Sequence, residues 1–361
     1  MLIHGNPYRS IWKDMEDGKV KIIDQRKLPH AVEIVSLDSL EKSIVSIRDM
    51  YVRGAPLIGV TAAFGFAISM QKNCSNEAID ETFSRLLAAR PTAVNLEWAC
   101  RTVASKIRPL SQDRRADMAW QLAIKMADDD VATNTRIGKF GVKIIRDIAK
   151  KKIDGSPVRI LTHCNAGWLA TVDRGTATAP IYEAAEQGID IEVWVDETRP
   201  RNQGASLTAW ELHHNNISNT LIVDNAGGHL MQHGQVDVVI VGSDRTTATG
   251  DVCNKIGTYL KALAAADNNV PFYAALPIST IDFNINDGLQ IPIEERSGNE
   301  VLQMSGITDT GQIETINITA DGIVAANPAF DVTPARFVTG IITDKGIVAP
   351  NPQSIETLKP S

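Results

Sequence analysis

The sequence predicts an α/β protein in which helices cover both faces of a parallel β-sheet. From residue 158 onward, short β-rich runs alternate with helical segments, which is the rhythm of a doubly wound sheet. These runs are continuously apolar, as expected of strands that are buried on both faces. The earlier part of the chain is mainly helical with a few short strands. We therefore expect a Rossmann-like parallel-sheet C-terminal domain and a smaller, mixed but mainly helical N-terminal domain.

The expected boundary lies in "KKKIDGSPV", residues 150–158, where charged residues, Gly, Ser and Pro cluster. Such stretches are typical of linkers between domains. A chain of 361 residues is also long enough for two domains. We predict domains at 1–150 and 151–361.

The N-terminal elements are predicted in order along the chain. Residues 20–24 and 31–37 have the composition of short strands. Asp38 is expected to begin a helix, because Glu41 follows it at the capping-box spacing. Pro56 suits the first turn of an apolar helix over 55–70, which is shorter than the ~20 residues that span a bilayer. Further helices are predicted over 76–90, stopped by Pro91, and over 113–150.

The C-terminal strands are predicted in five runs: "VRILTH", "IEVWVD", "TLIVD", "VDVVIVGS" and "FYAALP". Helical segments separate them, namely "GTATAPIYEAAEQG", "GASLTAWELHH", "GGHLMQHG" and "KIGTYLKALAAA". In an open parallel sheet, ligands bind beyond the carboxyl ends of the strands. Polar residues follow these strands at His163-Cys164-Asn165, Asp196 to Arg199, Asp224-Asn225 and Gly242 to Arg245. We expect these groups to meet at one edge of the sheet.

Composition excludes several classes of function. The net charge of −7 and pI of about 5.6 argue against a nucleic-acid binder, which usually has a basic field. The four cysteines have no CxxC spacing, so no zinc site is predicted. Free thiols and an N-terminus without a signal-peptide pattern indicate a cytoplasmic protein with no membrane partner. GxGxxG, GxxxxGK[ST], HExxH and GxSxG are absent, so neither a metal nor another cofactor is expected.

Two turns have the features of anion sites. Arg53 precedes the helix whose first amides belong to Gly54 and Ala55, and Asn254-Lys255 is expected to open another helix. The N-terminus of a helix offers unpaired N–H groups to a phosphate. Arg90 adds a cation that is able to bind phosphate through two nitrogens. Each of these residues also has an ordinary structural interpretation.

Cys164 has two interpretations as well. A lone cysteine is most often a small buried apolar residue, yet this one stands where a strand opens into a turn. His163 is not expected to act as its base, because successive side chains of a strand point to opposite faces. A partner should come from another strand end, and Asp244 is the best candidate, although it also suits a solvated loop or helix cap.

Six blocks of sequence resemble the methylthioribose-1-phosphate isomerase family of methionine salvage: "YVRGAPLIGVTAA", "RPTAVNLEWA", "LTHCNAGWLATVDRGTA", "DETRPRNQGASLTAWEL", "VGSDRTTATGDVCNKIGTY" and "NPAFDVTPARFVTGIITDKG". The resemblance implies a cofactor-free aldose–ketose isomerase. It further implies a catalytic pair, Cys164 and Asp244, and substrate-binding positions at Arg53, Gly54, Ala55, Arg90, Gln203, Asn254 and Lys255. A sugar phosphate as the substrate and a homodimer are implied too.

Two kinds of alternative stay open, and another is disfavoured. Within the same superfamily, the chain is also comparable to a 5-deoxyribose 1-phosphate isomerase or a ribose 1,5-bisphosphate isomerase. A non-catalytic regulatory subunit that binds proteins and sugar phosphates is the rival from another class. A cysteine hydrolase is disfavoured because no suitable histidine base is found.

Overall fold

The structure, a computed structural model, describes residues 1–91, 93–153 and 155–359. The N-terminal region starts with short strands and continues as packed helices: β1 (Leu2–Ile3), β2 (Asn6–Pro7), β3 (Ile11–Lys13), β4 (Val20–Ile23), β5 (Ile34–Leu37), α1 (Leu40–Arg48), α2 (Ala55–Met70), α3 (Asn76–Ala89), α4 (Val94–Ile107) and α5 (Gln112–Ala149). Strands β3, β4 and β5 form an antiparallel sheet.

Helix α2 is the centre of the N-terminal core. It is apolar on all sides and almost every side chain is buried, as expected of a helix that others enclose. Helices α1, α3, α4 and α5 all pack against it. Pro56 lies in the first turn, as predicted. In the described ranges, no helix is both long and apolar enough to cross a bilayer.

Helix α5 takes part in the hydrophobic cores of both regions. Its first half contributes Trp120 and Ala123 to the N-terminal core, and its second half contributes Val142 and Ile145 to the core beneath the main sheet. Gly141 allows close packing there, since a Cβ atom at this position would lie 2.4 Å from Pro180. We retain domains 1–150 and 151–361 as a proposal in which α5 joins the two.

The C-terminal region alternates strands and helices: β6 (Val158–Thr162), α6 (Ala179–Glu186), β7 (Ile191–Asp196), α7 (Ala209–His214), β8 (Asn219–Ile222), α8 (Ala226–Gln232), β9 (Val238–Val241), β10 (Arg245–Thr247), β11 (Val252–Lys255), α9 (Thr258–Asp267), β12 (Phe272–Ala275), β13 (Ile281–Asp282), α10 (Asn299–Leu302), β14 (Gln303–Ile307), β15 (Ile313–Asn317), β16 (Phe330–Thr333), β17 (Gly340–Thr343), β18 (Gly346–Val348) and α11 (Pro352–Glu356). The five predicted strand runs correspond to β6, β7, β8, β9 and β12.

The main sheet of the described chain has the strand order β18-β17-β12-β9-β6-β7-β8. Each neighbouring pair is parallel except β17 and β18, which confirms the predicted fold class. The chain runs outward from β6 through β7 to β8 and then returns to the other side of β6 as β9. This reversal makes a topological switch point between β6 and β9, where a crevice opens at the carboxyl ends of the strands.

Smaller sheets lie beyond that edge. Strands β13, β10, β11 and β16 form one of them, in this order, and β14 and β15 form an antiparallel hairpin. The hairpin exposes large apolar side chains at Ile307, Ile313 and Ile316.

Some local predictions were wrong. Ser39, and not Asp38, caps α1, since its hydroxyl accepts a hydrogen bond from the Lys42 amide. The strand expected over 31–37 starts only at Ile34. Helix α4 was not predicted, although its buried residues Leu96, Ala99, Cys100 and Val103 follow the helical period.

Candidate active site

One cavity lies at the switch point, and all nine predicted site residues line it: Arg53, Gly54, Ala55, Arg90, Cys164, Gln203, Asp244, Asn254 and Lys255. Its volume is about 90 Å³. The N-terminal helices form one wall and the carboxyl ends of the parallel strands form the other. Cys164 follows β6 and Asp244 follows β9, the two strands on either side of the switch point.

The Cys164 backbone is held in an uncommon conformation. Its φ of 66° lies in the left-handed region that non-glycine residues rarely adopt. Its amide donates to Thr198 Oγ1 at 2.8 Å, and its carbonyl accepts from Thr208 Oγ1 at 2.7 Å. Such strain persists only where the surroundings enforce it, and it is commonly found at active sites.

The Cys164 thiol lies among charged groups. Burial raises its pKa, whereas the positive charges of Lys255 and Arg53 favour the thiolate. The negative charge of Asp244 opposes them. Cys164 therefore lies between cations that favour its thiolate and a carboxylate that opposes it.

Asp244 lines the cavity and is exposed to solvent there. Partial desolvation by the surrounding protein raises the pKa of its carboxyl, and Lys255 and Arg90 partly offset this. The segment is fixed by the Asp244 amide, which donates to the Cys253 carbonyl at 2.9 Å. A carboxyl with a raised pKa is suited to donate a proton near neutral pH.

Arg53 and Arg90 provide positive charge without a paired carboxylate. Among the described residues, neither forms an ion pair within 4.0 Å. Burial lowers the pKa of Arg53 to about 10, so Arg53 stays cationic at neutral pH. Burial lowers the pKa of Arg90 too, and Glu294 and Asp244 oppose that shift. Buried cations are costly unless a counter-charge is supplied, and an anionic ligand would supply it here.

The turn at Gly54 joins the two walls. Gly54 has a φ of 91°, and a Cβ atom there would lie 2.3 Å from the Ala170 carbonyl oxygen. Only glycine fits this approach of backbone to backbone. Gly54 and Ala55, at the start of α2, line the cavity, and the helix has no side-chain cap there, as expected of an anion site.

Asn254 and Lys255 do not open a helix, contrary to the prediction. They end strand β11, and α9 begins three residues later at Thr258. The Asp331 carboxylate accepts hydrogen bonds from the amides of Gly257 and Tyr259 at 2.7 and 3.1 Å. The N-terminus of α9 is therefore already neutralised, and the Lys255 side chain, not the helix, brings positive charge to the cavity.

Gln203 and Asn254 supply amide groups to the cavity. Gln203 is 5% exposed, and within the described chain its Oε1 has no hydrogen-bond partner. The Asn254 side chain donates to Thr258 Oγ1 at 3.1 Å. Both are suited to bind hydroxyl or phosphate oxygens of a ligand.

Sequence reasoning missed two further cations in the cavity wall, Arg201 and Arg296. Unlike Arg53 and Arg90, they are neutralised: Glu300 lies 2.8 Å from Arg201 and 2.7 Å from Arg296. These contacts lower the pKa of Glu300 to about 2 against the effect of its burial. The "RPRNQ" motif contains Arg201, but no local pattern pointed to Arg296.

Glu211 is a buried carboxyl behind the Cys164 turn. It is fully buried, and its Oε2 accepts from Asn165 Nδ2 and the Leu169 amide at 3.3 Å each. Burial raises its pKa to about 8. Asn165 follows Cys164 directly and lines the cavity, so the charge of Glu211 affects the residue beside the thiol.

His163, Asp196 and Asp224 have ligand atoms within 4.8 Å of one another and form the one group of metal-ligand type among the described residues. Both ring nitrogens of His163 are in hydrogen bonds, Nδ1 with Asp196 Oδ2 and Nε2 with the Ile256 carbonyl, at 2.8 Å each. The Lys261 ammonium lies 3.1 Å from the same Asp196 oxygen. Since that ammonium already supplies the positive charge, the group fits an ion-pair network better than a metal site.

Fold and cavity together define a Rossmann-like protein with an anion-binding cleft, and comparisons with known proteins identify its family. The model of the Initiation factor 2 subunit family matches residues 51–350. A methylthioribose-1-phosphate isomerase of Rhizobium meliloti is 58% identical over 100% of this chain and 99% of its own length.

Two solved structures are also similar to the chain. The 5-methylthioribose 1-phosphate isomerase of Pyrococcus horikoshii OT3 has a TM-score of 0.84 and 38% identity, covering 98% of this chain and 96% of its own. Subunit delta of the translation initiation factor eIF-2B from A. fulgidus has a TM-score of 0.81 and 35% identity, and the match covers 98% of this chain and 99% of its own.

The chain belongs to the Initiation factor 2 subunit family and, within it, to the methylthioribose-1-phosphate isomerases. The predicted family and the predicted class of enzyme, an isomerase, are thereby confirmed.

Proposed function

We propose that the protein converts 5-methylthio-α-D-ribose 1-phosphate to 5-methylthio-D-ribulose 1-phosphate in methionine salvage, with Cys164 and Asp244 as the catalytic pair. The observation that carries this proposal is the placement of both residues at the switch point of the sheet, facing a cavity with two unpaired arginines. No cofactor enters the proposed reaction.

The substrate explains why two opposed groups are needed. Its anomeric carbon carries the phosphate, so the ring cannot simply open to a free aldehyde. A group must protonate the ring oxygen while the C1–O bond breaks. C1 must then gain a hydrogen while C2 loses one, and the C2 hydroxyl must release its proton to a base, which leaves a ketone at C2 and balances the proton added to the ring oxygen.

The helical wall is proposed to hold the phosphate. Arg53, Arg90 and the first amides of α2 present positive charge at the cavity edge. The phosphate is not cleaved in the reaction, so the binding energy from its contacts is available to orient the sugar. Gln203, Asn254 and Lys255 complete the proposed binding set.

Asp244 is proposed to act on the ring oxygen. A proton donor must be protonated at the working pH, and burial raises the pKa of Asp244 toward that condition. The acidic form is lost as the pH rises through this pKa, so the rate of ring opening should fall on the alkaline side.

Cys164 is proposed to act on the C1–C2 side of the sugar. Two routes for the C2 hydrogen stay open, transfer as a proton and transfer as a hydride. Two labelling experiments distinguish them when the product is analysed by NMR: unlabelled substrate in D2O, and substrate deuterated at C2 in H2O. Solvent deuterium in the carbon skeleton would exclude direct hydride transfer, and full retention of the label would exclude free exchange with water.

Two alternative substrates make different demands on the cavity. Ribose 1,5-bisphosphate needs a second phosphate site, and the nearest further cations, Arg201 and Arg296, are neutralised by Glu300. A 5-deoxy sugar lacks only the small apolar methylthio group. A non-catalytic regulatory subunit would not need Cys164 and Asp244 on the same cavity.

The experiment is an NMR time course of the protein with each of three substrates: 5-methylthioribose 1-phosphate, 5-deoxyribose 1-phosphate and ribose 1,5-bisphosphate. We expect the methylthio sugar to give the ketose fastest. Faster conversion of the bisphosphate would contradict the proposed substrate. Absence of conversion for all three would favour a regulatory binding protein.

We also propose a cytoplasmic homodimer. The four cysteines are free thiols, which suits a reducing compartment. The hairpin β14–β15 and the residues after it expose Ile307, Ile313, Ile316 and Ile323, and such a patch is typical of an interface. Sedimentation equilibrium should give a dimer mass, and Ile313→Asp should shift the equilibrium toward the monomer.

A further inference from the structure

Two threonine hydroxyls hold the backbone of Cys164 from opposite sides of the residue. Thr198 Oγ1 accepts a hydrogen bond from the Cys164 amide at 2.8 Å and donates to the Asp196 carbonyl at 3.0 Å. Thr208 Oγ1 donates to the Cys164 carbonyl at 2.7 Å and accepts from Asn165 Nδ2 at 3.2 Å. Each hydroxyl therefore donates one hydrogen bond and accepts another, so both are fixed in direction.

The conformation of Cys164 depends on such contacts. Its φ of 66° is one that residues with a side chain rarely adopt, and it persists only where the surroundings enforce it. Without partners for its amide and its carbonyl, the backbone would relax toward the extended or right-handed helical region. Since the direction of the Cα–Cβ bond follows the backbone, that relaxation would move the thiol from its place in the cavity wall.

The two threonines are placed to act through Cys164 and not on a substrate. Both are buried, and neither is among the residues that line the active-site cavity. An effect of Thr198 or Thr208 on the reaction must therefore pass through the residues to which their hydroxyls are bonded.

One segment of the chain carries both threonines at its ends and a cavity residue between them. Thr198 comes two residues after the end of β7. Thr208 is the last residue of a π-helical turn, Gly204–Thr208, directly before α7. Gln203 precedes this turn and lines the cavity. Turns of this type are rare and are often found at functional sites, and this one connects a proposed binding residue to the backbone of Cys164.

Both ends of the segment are anchored in turn. The Asp224 carboxylate accepts hydrogen bonds from the amides of Thr198 and Arg199 at 2.8 and 2.7 Å. Beside Thr208, the Asn165 side chain donates to Glu211 Oε2 at 3.3 Å. A reacting group is held precisely when the residues that orient it are themselves fixed by further hydrogen bonds.

We propose that Thr198 and Thr208 are positioning residues for the reaction, whose hydroxyls hold Cys164 in the left-handed conformation that places its thiol at the cavity. This inference rests on the proposed function, which gives Cys164 its chemical role. Loss of either hydroxyl should slow the chemical step. It should leave the phosphate contacts intact, because those come from the helical wall.

The first test compares Thr208→Val with Thr208→Ser, using 5-methylthioribose 1-phosphate as the substrate. Valine has nearly the shape of threonine but no hydroxyl, whereas serine keeps the hydroxyl. Since a displacement of about 1 Å costs about 10²-fold in rate, we expect Thr208→Val to lower kcat by about 10- to 100-fold and to change KM by less than about threefold. The serine variant should restore kcat to within about threefold of the unaltered protein.

Thr343→Val is the matched control. Thr343 is buried, and its hydroxyl also donates to a turn carbonyl, that of Gly346, at 2.9 Å and accepts from the Lys345 amide at 3.2 Å. It is not among the residues that line the active-site cavity. The control removes the same kinds of hydrogen bond from another turn, and it should change neither kcat nor KM.

A second measurement does not need turnover. It is the rate at which iodoacetamide alkylates Cys164 as a function of pH, read by mass spectrometry of peptides. Burial and Asp244 raise the pKa of this thiol, whereas Lys255, Arg53 and the Asn165 amide lower it. All these effects depend on the position of the sulfur atom.

Thr208→Val should shift the midpoint of alkylation at Cys164 by at least about 0.5 pH unit, and Thr208→Ser should shift it less. Buried Cys100 is the internal control, because it becomes reactive only if the fold loosens as a whole. It should stay unreacted in both variants.

Unchanged kcat in Thr208→Val, an equal fall in Thr343→Val, or no recovery in Thr208→Ser would overturn the proposal. If Cys100 reacts in Thr208→Val, that variant has loosened, and Thr198→Val with Thr198→Ser decides by the same criteria. If the unaltered protein converts no sugar, the proposed function fails. The alkylation midpoint still tests the positioning of Cys164 in that case, so the two failures are distinct.

Discussion

The two walls of the active-site cavity are built differently. The helical wall presents fixed positive charge through Arg53, Arg90 and the N-terminus of α2. The sheet wall presents two titratable groups, Cys164 and Asp244, at the ends of two parallel strands. We propose that the helical wall mainly binds the phosphate and that the sheet wall contains the reacting groups.

This division has a kinetic signature. Changes in the sheet wall should lower kcat, because they remove groups needed in the transition state. Changes in the helical wall should raise KM, because they remove contacts with the phosphate that both the substrate and the transition state share.

Asp244→Asn should have the largest effect. An amide cannot donate a carboxylic proton to the ring oxygen, and general acid catalysis contributes about 10²- to 10⁴-fold to a rate. We expect kcat to fall by that factor while KM changes little. Asp309→Asn in the exposed turn of the β14–β15 hairpin is the control, and an unchanged kcat in Asp244→Asn would contradict the assigned role.

Gly54→Ala should destabilise the close backbone contact between Gly54 and Ala170, which lie on the two walls of the cavity. The new Cβ atom would lie 2.3 Å from the Ala170 oxygen at a φ of 91°, and we expect a loss of about 2–5 kcal/mol in the free energy of unfolding. Gly5→Ala is the matched control, because Gly5 has a φ of 81° with open space around it. Urea unfolding measures both, and equal losses would show that the contact with Ala170 is unimportant.

Arg53→Ala should weaken substrate binding, measured as KM, without slowing the chemical step, measured as kcat. A hydrogen bond to a charged group contributes about 1.5–3 kcal/mol, so KM should rise by about 10- to 100-fold with kcat nearly constant. Arg85→Ala removes an exposed arginine of the same region, paired with Glu41, and should change neither constant. A fall in kcat without a change in KM would refute the proposed phosphate contact.

Glu211→Gln should act on the pH dependence of stability. The pKa of Glu211 is raised from 4.5 to about 8 in the folded state, so the folded protein holds this proton more tightly than the unfolded chain. Stability therefore falls as the pH rises from 4.5 to about 8, by about 1.4 kcal/mol per pH unit.

The glutamine variant should lack that slope. Urea unfolding between pH 5.5 and 7.5 measures the difference between the two proteins, which should grow in favour of Glu211→Gln as the pH rises. Parallel stability curves would show that Glu211 does not titrate in this range.

The sequence predicted the sheet wall well because its physical signal is local. A continuous apolar run identifies a buried strand, and the polar residues just after it must lie at the same edge as those of the parallel neighbours. Cys164 and Asp244 were found this way. The family resemblance supplied Gln203 as a binding position, which no local pattern had indicated.

Other features depend on contacts that are distant in the chain. The role of Glu300 in neutralising Arg201 and Arg296 follows from where the chain between β13 and β16 places the short helix α10, and no periodicity in the sequence encodes that position. Asn254 and Lys255 were assigned to a helix because the motif places them just before one. Their pairing with Asp331 and Phe330 of β16 extends the strand instead.

The most direct test of the central claim compares Cys164→Ser with Cys74→Ser in an NMR time course of 5-methylthioribose 1-phosphate. Cys74 is a cysteine of the N-terminal region that forms no disulfide, and its thiol donates a hydrogen bond to the Met70 carbonyl. It is not among the residues that line the cavity. We predict that Cys74→Ser forms the ketose at the unaltered rate and that Cys164→Ser binds the sugar but forms almost none. Ketose formation by Cys164→Ser at the unaltered rate would contradict the assignment of the reaction to the sheet wall.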